Sequence, residues 1–363
     1  MKILIVNPII YTSETREIKK VNTIKDTMIY DLCLGFKAQG HDITLAAAED
    51  YKPVLEEEYP FEIVWLEARL KKLFPANVIP FCPQIKEYVA ENQFDLIITS
   101  EVFSLNSLML SIKTKKNLIV WHELAKHNRL MHQIPSKLWY NIIARIFFKN
   151  TKIVARSIEA KEFISRFCNN VSDTVIDHGV NLDKFTYQAE KENYFAVSSQ
   201  LIKRKRIDKI INAFCEYVKK YDNTSHLYIM GEGDQKEALE KQVKSLDLEK
   251  NVTFTGKLHH DELIEILKKA RALLVYTEKD NNMVSIVESI AVATPVITTS
   301  VPYNASYIKA NSLGIVNDSW NEDDLHKISN DKSYVESCMI YRNSLSTENK
   351  AKQFISIGVN NDY

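Results

Sequence analysis

At 363 residues the chain exceeds what one ordinary hydrophobic core supports, so two domains are expected. Its 47 basic residues balance 47 acidic ones, which argues against a nucleic-acid-binding protein. Five cysteines (Cys33, Cys82, Cys168, Cys215, Cys338) are scattered without a C-x-x-C spacing, which excludes a disulfide framework or zinc site as an expectation and fits a reducing compartment. The start, Met1 to Pro8, is apolar but short and broken by proline, and no apolar run is long enough to span a bilayer. A cytoplasmic protein is expected.

Strand and helix patterns alternate along the chain. The first series has β-branched runs at Ile3–Val6, Ile43–Ala47, Phe61–Trp65, Leu96–Thr99, Leu118–Trp121, Ile153–Ala155 and Thr174–Ile176. Helical periodicity falls at Ile24–Gln39, Gln84–Glu91 and Ile158–Phe167, with Gly40 as a stop for the first. After the polar stretch Lys184–Asn193 a second series begins. It has strands near Tyr194–Val197, Leu227–Met230, Val252–Thr255, Leu273–Tyr276 and Pro295–Thr299, and helices at Ile207–Lys220, Lys236–Ser245, Asp261–Lys269 and Ser285–Ala291. Alternating βα units imply parallel sheets with right-handed crossovers. The expected organisation is an N-terminal Rossmann-like domain over 1–186, a second over 187–330, and a tail over 331–363 that is partly helical and packs back toward the first domain.

The most informative stretch runs from Asp280 to Ile297. It sets two acids, Asp280 and Glu288, eight positions apart around a loop and a helix start, followed by a small-residue turn and a β-branched strand. Ligands of open parallel sheets bind in the crevice at the strands' carboxyl ends. Two carboxylates suit a molecule rich in hydroxyls, and the N–H groups of Met283, Val284 and Ser285 would face an anion. Diols and phosphates together describe a nucleotide sugar.

Four segments resemble the retaining nucleotide-sugar glycosyltransferases of family 4, whose architecture is called GT-B. Residues 170 to 300 carry the likeness well and the N-terminal half carries it loosely. Glu288 matches the second acid of the family's Glu-seven residues-Glu pattern, which holds the nucleotide ribose, and Asp280 stands at the first, aimed at the transferred sugar, with Glu278 as a fallback. Residues 194–208 are similar to the segment whose Arg and Lys neutralise the leaving diphosphate. Lys205 falls on the Lys position, while Gln200, beside Ser199, replaces the Arg, leaving Lys203, Arg204 or Arg206 to compensate. Gly231 and Gly233 end a strand as the family's Gly-x-Gly does, which implies close backbone approach to the nucleotide, and Thr255 lies in the segment that reads the base. Asp177–Phe185 looks like the Asn-Gly-Val-Asp signature near the seam, with His178 for Asn.

In the N-terminal half, His122 ends a strand where family members carry a histidine that contacts the donor sugar across the cleft. His41, in a Gly-His turn, is read as structural. Paired glycines expected after the first strand are replaced by Thr23–Ile24. Between Lys113 and Arg166 there are 12 Lys or Arg against three acids. Within it, Lys137–Lys149 is apolar almost all round. Burial is the leading expectation for this helix, and a face resting on anionic lipid, with Trp139 as anchor, is the alternative.

The resemblance implies an α/β, GT-B molecule whose two Rossmann-like domains face each other across a cleft. It implies a retaining glycosyltransferase that moves a sugar from a nucleoside diphosphate donor, expected to be UDP-linked, to a hydroxyl of a glycan, glycolipid or protein-linked acceptor. No cofactor or metal is required, and His122, Lys205 and Asp280 are the catalytic candidates. Peripheral contact with a membrane surface is the further partner considered. Two other readings stay open: a non-catalytic partner subunit, favoured by Gln200 and Asp280, and a sugar-nucleotide epimerase. A nicotinamide dehydrogenase is weaker, because no Gly-x-Gly-x-x-Gly follows Ile3–Val6.

Overall fold

The computed structural model describes residues 1–11, 18, 20–114, 117–128, 130–280 and 283–359, with backbone only at 130 and 131. Asn281 and Asn282 of the acid-pair loop, and Lys115, Lys116 and Arg129 of the basic stretch, lie outside them. The chain forms two compact units, Met1–Asn181 with Ser346–Tyr363, and Leu182–Leu345.

The first unit is built on a six-stranded parallel sheet of β1 (Lys2–Val6), β2 (Asp42–Ala48), β3 (Glu62–Leu66), β4 (Leu96–Ser100), β5 (Leu118–His122) and β6 (Lys152–Ala155), ordered β3-β2-β1-β4-β5-β6. The second sheet repeats the plan with β7 (Tyr194–Ser198), β8 (His226–Met230), β9 (Val252–Gly256), β10 (Leu273–Leu274), β11 (Val296–Thr298) and β12 (Gly314–Val316), ordered β12-β11-β10-β7-β8-β9. Within the strands, Ile3–Val6 and Leu118–Trp121 are unbroken apolar runs, as expected of parallel sheets buried on both faces. In each unit the strand order reverses beside the first strand, between β1 and β4 and between β7 and β10. The loops there splay apart and leave the crevice in which such sheets bind ligands.

Several bounds differ from the sequence reading. The first helix spans Met28–Ala38, shorter at both ends than expected, because Thr27 in extended conformation starts it. Thr174–Ile176 is not a strand. Ile176 is buried and donates one backbone hydrogen bond to Ala155 O (2.9 Å), without a ladder. Strand β12 and the helices Asn304–Ala310 and Glu322–Asn330 were not expected; β12 has three residues, too few for a readable alternation.

The unit boundaries also differ from 186 and 330. The second unit begins at Leu182 and runs on to Leu345, because Ser333–Tyr341 packs within it. Cys338 of that helix is fully buried, and Arg342 beyond it donates to Ala291 O (2.7 Å) and Phe185 O (2.6 Å). Only the helix Thr347–Val359 belongs with the first unit. There Phe354 meets Phe36 and Trp121, Lys350 pairs with Asp177, and Thr347 N–H bonds Val180 O (3.0 Å).

Candidate active site

At the reversal point of the second sheet, β7 ends at Ser198 and its chain turns through a short 3₁₀ segment, Lys203–Lys205, into the helix Ile207–Lys220. Lys205 folds inward from this turn. Its ammonium lies 2.7 Å from Asp280 Oδ2, with the Lys205 and Asp280 side chains only 10% and 15% exposed. Thr277 Oγ1 donates to the same carboxylate oxygen (2.7 Å), and Arg204 lies 3.0 Å from Oδ1. Burial pushes the Asp280 carboxyl up, but the bonds from Lys205, Thr277 and Arg204 outweigh it and hold the group below its usual value of 3.8. The two residues assigned to diphosphate and sugar therefore form one buried pair.

The remaining cations of the turn divide in role. Arg206 adopts a left-handed backbone (φ 44°) and reaches Glu278 (2.6 Å) and Asp208 (3.0 Å), which engages the fallback acid as well. Arg204 also donates to Lys279 O (2.5 Å). Lys203 is exposed and makes no ion pair among the described residues. Gln200 is exposed beside half-buried Ser199.

Glu288 sits in the second turn of the helix Val284–Ala291, where its Oε1 meets His260 Nε2 at 3.0 Å. The bond to Glu288 raises the His260 pKa against the opposing effect of burial. The helix start is fixed by a residue the sequence did not flag. Asn304 accepts from Met283 N–H (2.7 Å) and donates back to Met283 O (3.3 Å). Met283 N–H is thereby spent, whereas the first-turn N–H groups of Val284 and Ser285 have no acceptor among the described residues.

Gly231 and Gly233 also serve the packing of the protein itself. A Cβ at either would strike the chain's own carbonyls, Ser199 O and Leu201 O respectively. They let the β8 loop pack against the β7 loop, which is tied by Ser199 N–H to Met230 O (3.1 Å) and Leu201 N–H to Glu232 O (2.9 Å). Thr255, one residue before the end of β9, donates its hydroxyl to Gly256 O (3.1 Å). His260, Thr277 and Asn304 had no signal in the sequence, since each acts through a partner 3 to 28 positions away.

In the first unit, His122 ends β5 with no exposed surface, 2.9 Å from Glu101 Oε2. Glu101 has a left-handed backbone (φ 68°), and its Oε1 accepts Glu123 N–H (2.6 Å). Burial raises the Glu101 carboxyl, and the His122 and Arg156 charges more than reverse it. Arg156 lies over the Trp121 ring (3.7 Å) and bonds Glu123 (2.7 Å). His178 beside it is driven down to about 3, by burial first and Arg156 second. Among the described residues, no helix is long and apolar enough to cross a membrane.

The helical run from Ile134 to Phe147 is buried on one side through Tyr140 and Ala144, with Phe148 buried just past its end. Its other side is not: Ile134, Leu138, Ile142 and Ile146 are 59%, 56%, 50% and 62% exposed. A π turn at Trp139–Ala144, with i→i+5 bonds, resets the drift that four-residue spacing accumulates on a 3.6-residue helix, keeping the stripe on one face. Trp139 is not an exposed anchor. It is half-buried, and its indole N–H bonds Val102 O (2.8 Å).

Two family models match the chain: "Glycosyltransferase Family 4" over residues 26–184 and "Glycosyl transferases group 1" over residues 181–333. The O-antigen chain mannosyltransferase RfbU of Salmonella typhimurium is 28% identical over 170 residues, 46% of this chain and 47% of the relative. The alpha-monoglucosyldiacylglycerol synthase of Streptococcus pneumoniae is 25% identical over 253 residues, 63% and 57% of the two chains. The chain thus spans about half the length of the curated relatives it matches. A solved glycosyltransferase from Rickettsia africae shares the fold with TM-score 0.64 at 14% identity, over 99% of this chain and 98% of that one.

Proposed function

Because this chain belongs to the glycosyltransferase group 1 family and is built on the GT-B plan, we propose that it transfers a sugar, with retention, from a nucleoside diphosphate donor to a hydroxyl group in glycoconjugate or polysaccharide synthesis. A UDP-sugar is the donor proposed. The observation that carries the reading is the Lys205–Asp280 pair at the reversal point of the second sheet, with Glu288 in the helix that follows Asp280 in the chain. Glu288 accepts from the ribose hydroxyls, and the Val284 and Ser285 N–H groups with Lys203 and Lys205 meet the diphosphate. Arrival of that dianion exchanges Lys205 from Asp280 to phosphate, which frees a carboxylate oxygen for a sugar hydroxyl. The acceptor oxygen then bonds the anomeric carbon, the bond to the diphosphate breaks, and the leaving phosphate oxygen takes the acceptor's proton. Protein cations carry the charge, so the reaction is proposed to need no metal. His122 is retained as a candidate toward the sugar through its pairing with Glu101.

The exposed stripe of Ile134–Phe147 supports a further part of the reading, that the first unit rests on an anionic bilayer. Nucleoside diphosphate release from a panel of sugar nucleotides tests the core proposal. Wild type should hydrolyse one donor slowly, and Glu288→Ala and Lys205→Ala should each lose at least about 100-fold. Undiminished turnover in both would overturn the site. No donor binding in wild type would move the reading to the non-catalytic partner subunit.

A further inference from the structure

Beside the exposed stripe lies a cavity of about 320 Å³ within the first unit, walled by Leu73, Phe74, Pro75, Ile79, Phe103 and Trp139. Two polar groups of its lining are already engaged. The Trp139 indole N–H is bound to Val102 O, and Ser104 Oγ caps the helix Leu105–Lys113 by accepting from Ser107 N–H (3.5 Å). A peptide or sugar, which needs several donors and acceptors to replace the water it loses, is unfavourable against walls that are mostly apolar. A hydrocarbon chain demands none.

Among the described residues, Lys72 is the one charged side chain in the lining of the cavity. Lys72 stands at its lining without an ion pair among the described residues, whereas neighbouring Lys71 is neutralised by Asp50 (2.7 Å). The Ile134–Phe147 run that supplies Pro135 and Trp139 sits in a stretch, 124–158, with no Asp or Glu at all. Apolar walls beneath an unneutralised lysine match an alkyl chain beneath a phosphate. We propose that this cavity holds the hydrocarbon end of the acceptor, and that the acceptor is a phosphate-bearing lipid rather than a soluble glycan. This rests on the glycosyltransferase reading above and narrows its acceptor.

The test titrates wild-type protein with n-alkyl phosphates of four to ten carbons below their micelle concentrations, so that no bilayer is present. Affinity should rise about fourfold per methylene until the cavity is filled. Leu73→Asp, at a side chain 71% exposed and therefore tolerant of substitution, should flatten that dependence. Lys72→Ala should lower affinity for every chain length by a common factor and leave the dependence intact. Affinity independent of chain length in wild type, or unchanged by Leu73→Asp, would overturn the proposal. Donor hydrolysis by the same wild-type preparation separates the two readings. Hydrolysis without alkyl selectivity sinks only the lipid acceptor, whereas alkyl selectivity without hydrolysis sinks the transferase.

Discussion

Lys205 and Asp280 show how a charged pair can be at once structural and available. Removing one partner of a buried pair leaves the other desolvated, at a cost of about 3 kcal/mol. Asp280→Asn should therefore destabilise the protein by about that amount at pH 7, measured by urea unfolding. Because the folded carboxyl is held below 3.8, its contribution is present above the unfolded value and disappears as pH falls through the folded one. The gap between wild type and Asp280→Asn should thus narrow below about pH 4. An unchanged gap in acid would mean that the loss comes from packing. His260 has the opposite sign. Its raised pKa makes its contribution complete below about 6.5 and lost as pH rises through the folded value. Half the ring is exposed, so the effect stays under about 1 kcal/mol. Melting temperature should decline slightly from pH 6 to 8 in wild type and stay level in Glu288→Gln.

At the scale of elements, the decisive contact is helix on helix. Gly35 of Met28–Ala38 faces the backbone of Thr347, and a Cβ there would stand 2.5 Å from Thr347 C and O. Intrinsic propensity favours alanine over glycine by about 1 kcal/mol. Overpacking against backbone that cannot yield costs about 1–3 kcal/mol. The clash should win, so Gly35→Ala should lower the melting temperature and speed amide exchange in Thr347–Val359; a rise in melting temperature would show that the helix can shift. This contact also explains what the sequence concealed. Periodicity exposed nearly every strand and the helices Ile207–Lys220 and Lys236–Ser245 to the residue, because each is judged against its own neighbours. Type and spacing offered Asp280 and Glu288, and the family resemblance offered Lys205. None of them could show that Lys205 binds Asp280, that Gly231 and Gly233 make room for the chain itself, or that the tail divides at Ser346. Those facts depend on residues that meet only after folding.

At the scale of the whole molecule, zero net charge hides a strong separation. Residues 124–158 contain seven Lys or Arg and no acid, while the balancing carboxylates lie elsewhere. A bilayer responds to the local field, since exposed charges beyond about 10 Å are screened at 0.1 M salt. Each basic residue near an anionic surface contributes about 1 kcal/mol, and the Ile134–Leu138–Ile142–Ile146 stripe adds apolar area that salt does not weaken. The two contributions are separable. Cosedimentation should find the protein on vesicles of mixed phosphatidylglycerol and phosphatidylcholine and not on pure phosphatidylcholine, with binding falling as salt rises. Ile142→Asp and Ile146→Asp should each reduce binding at least about tenfold at every salt concentration, with stability within about 0.5 kcal/mol of wild type, because both side chains already face solvent. Binding that vanishes with salt but ignores both substitutions would mean that the basic residues act alone, with the stripe facing another partner.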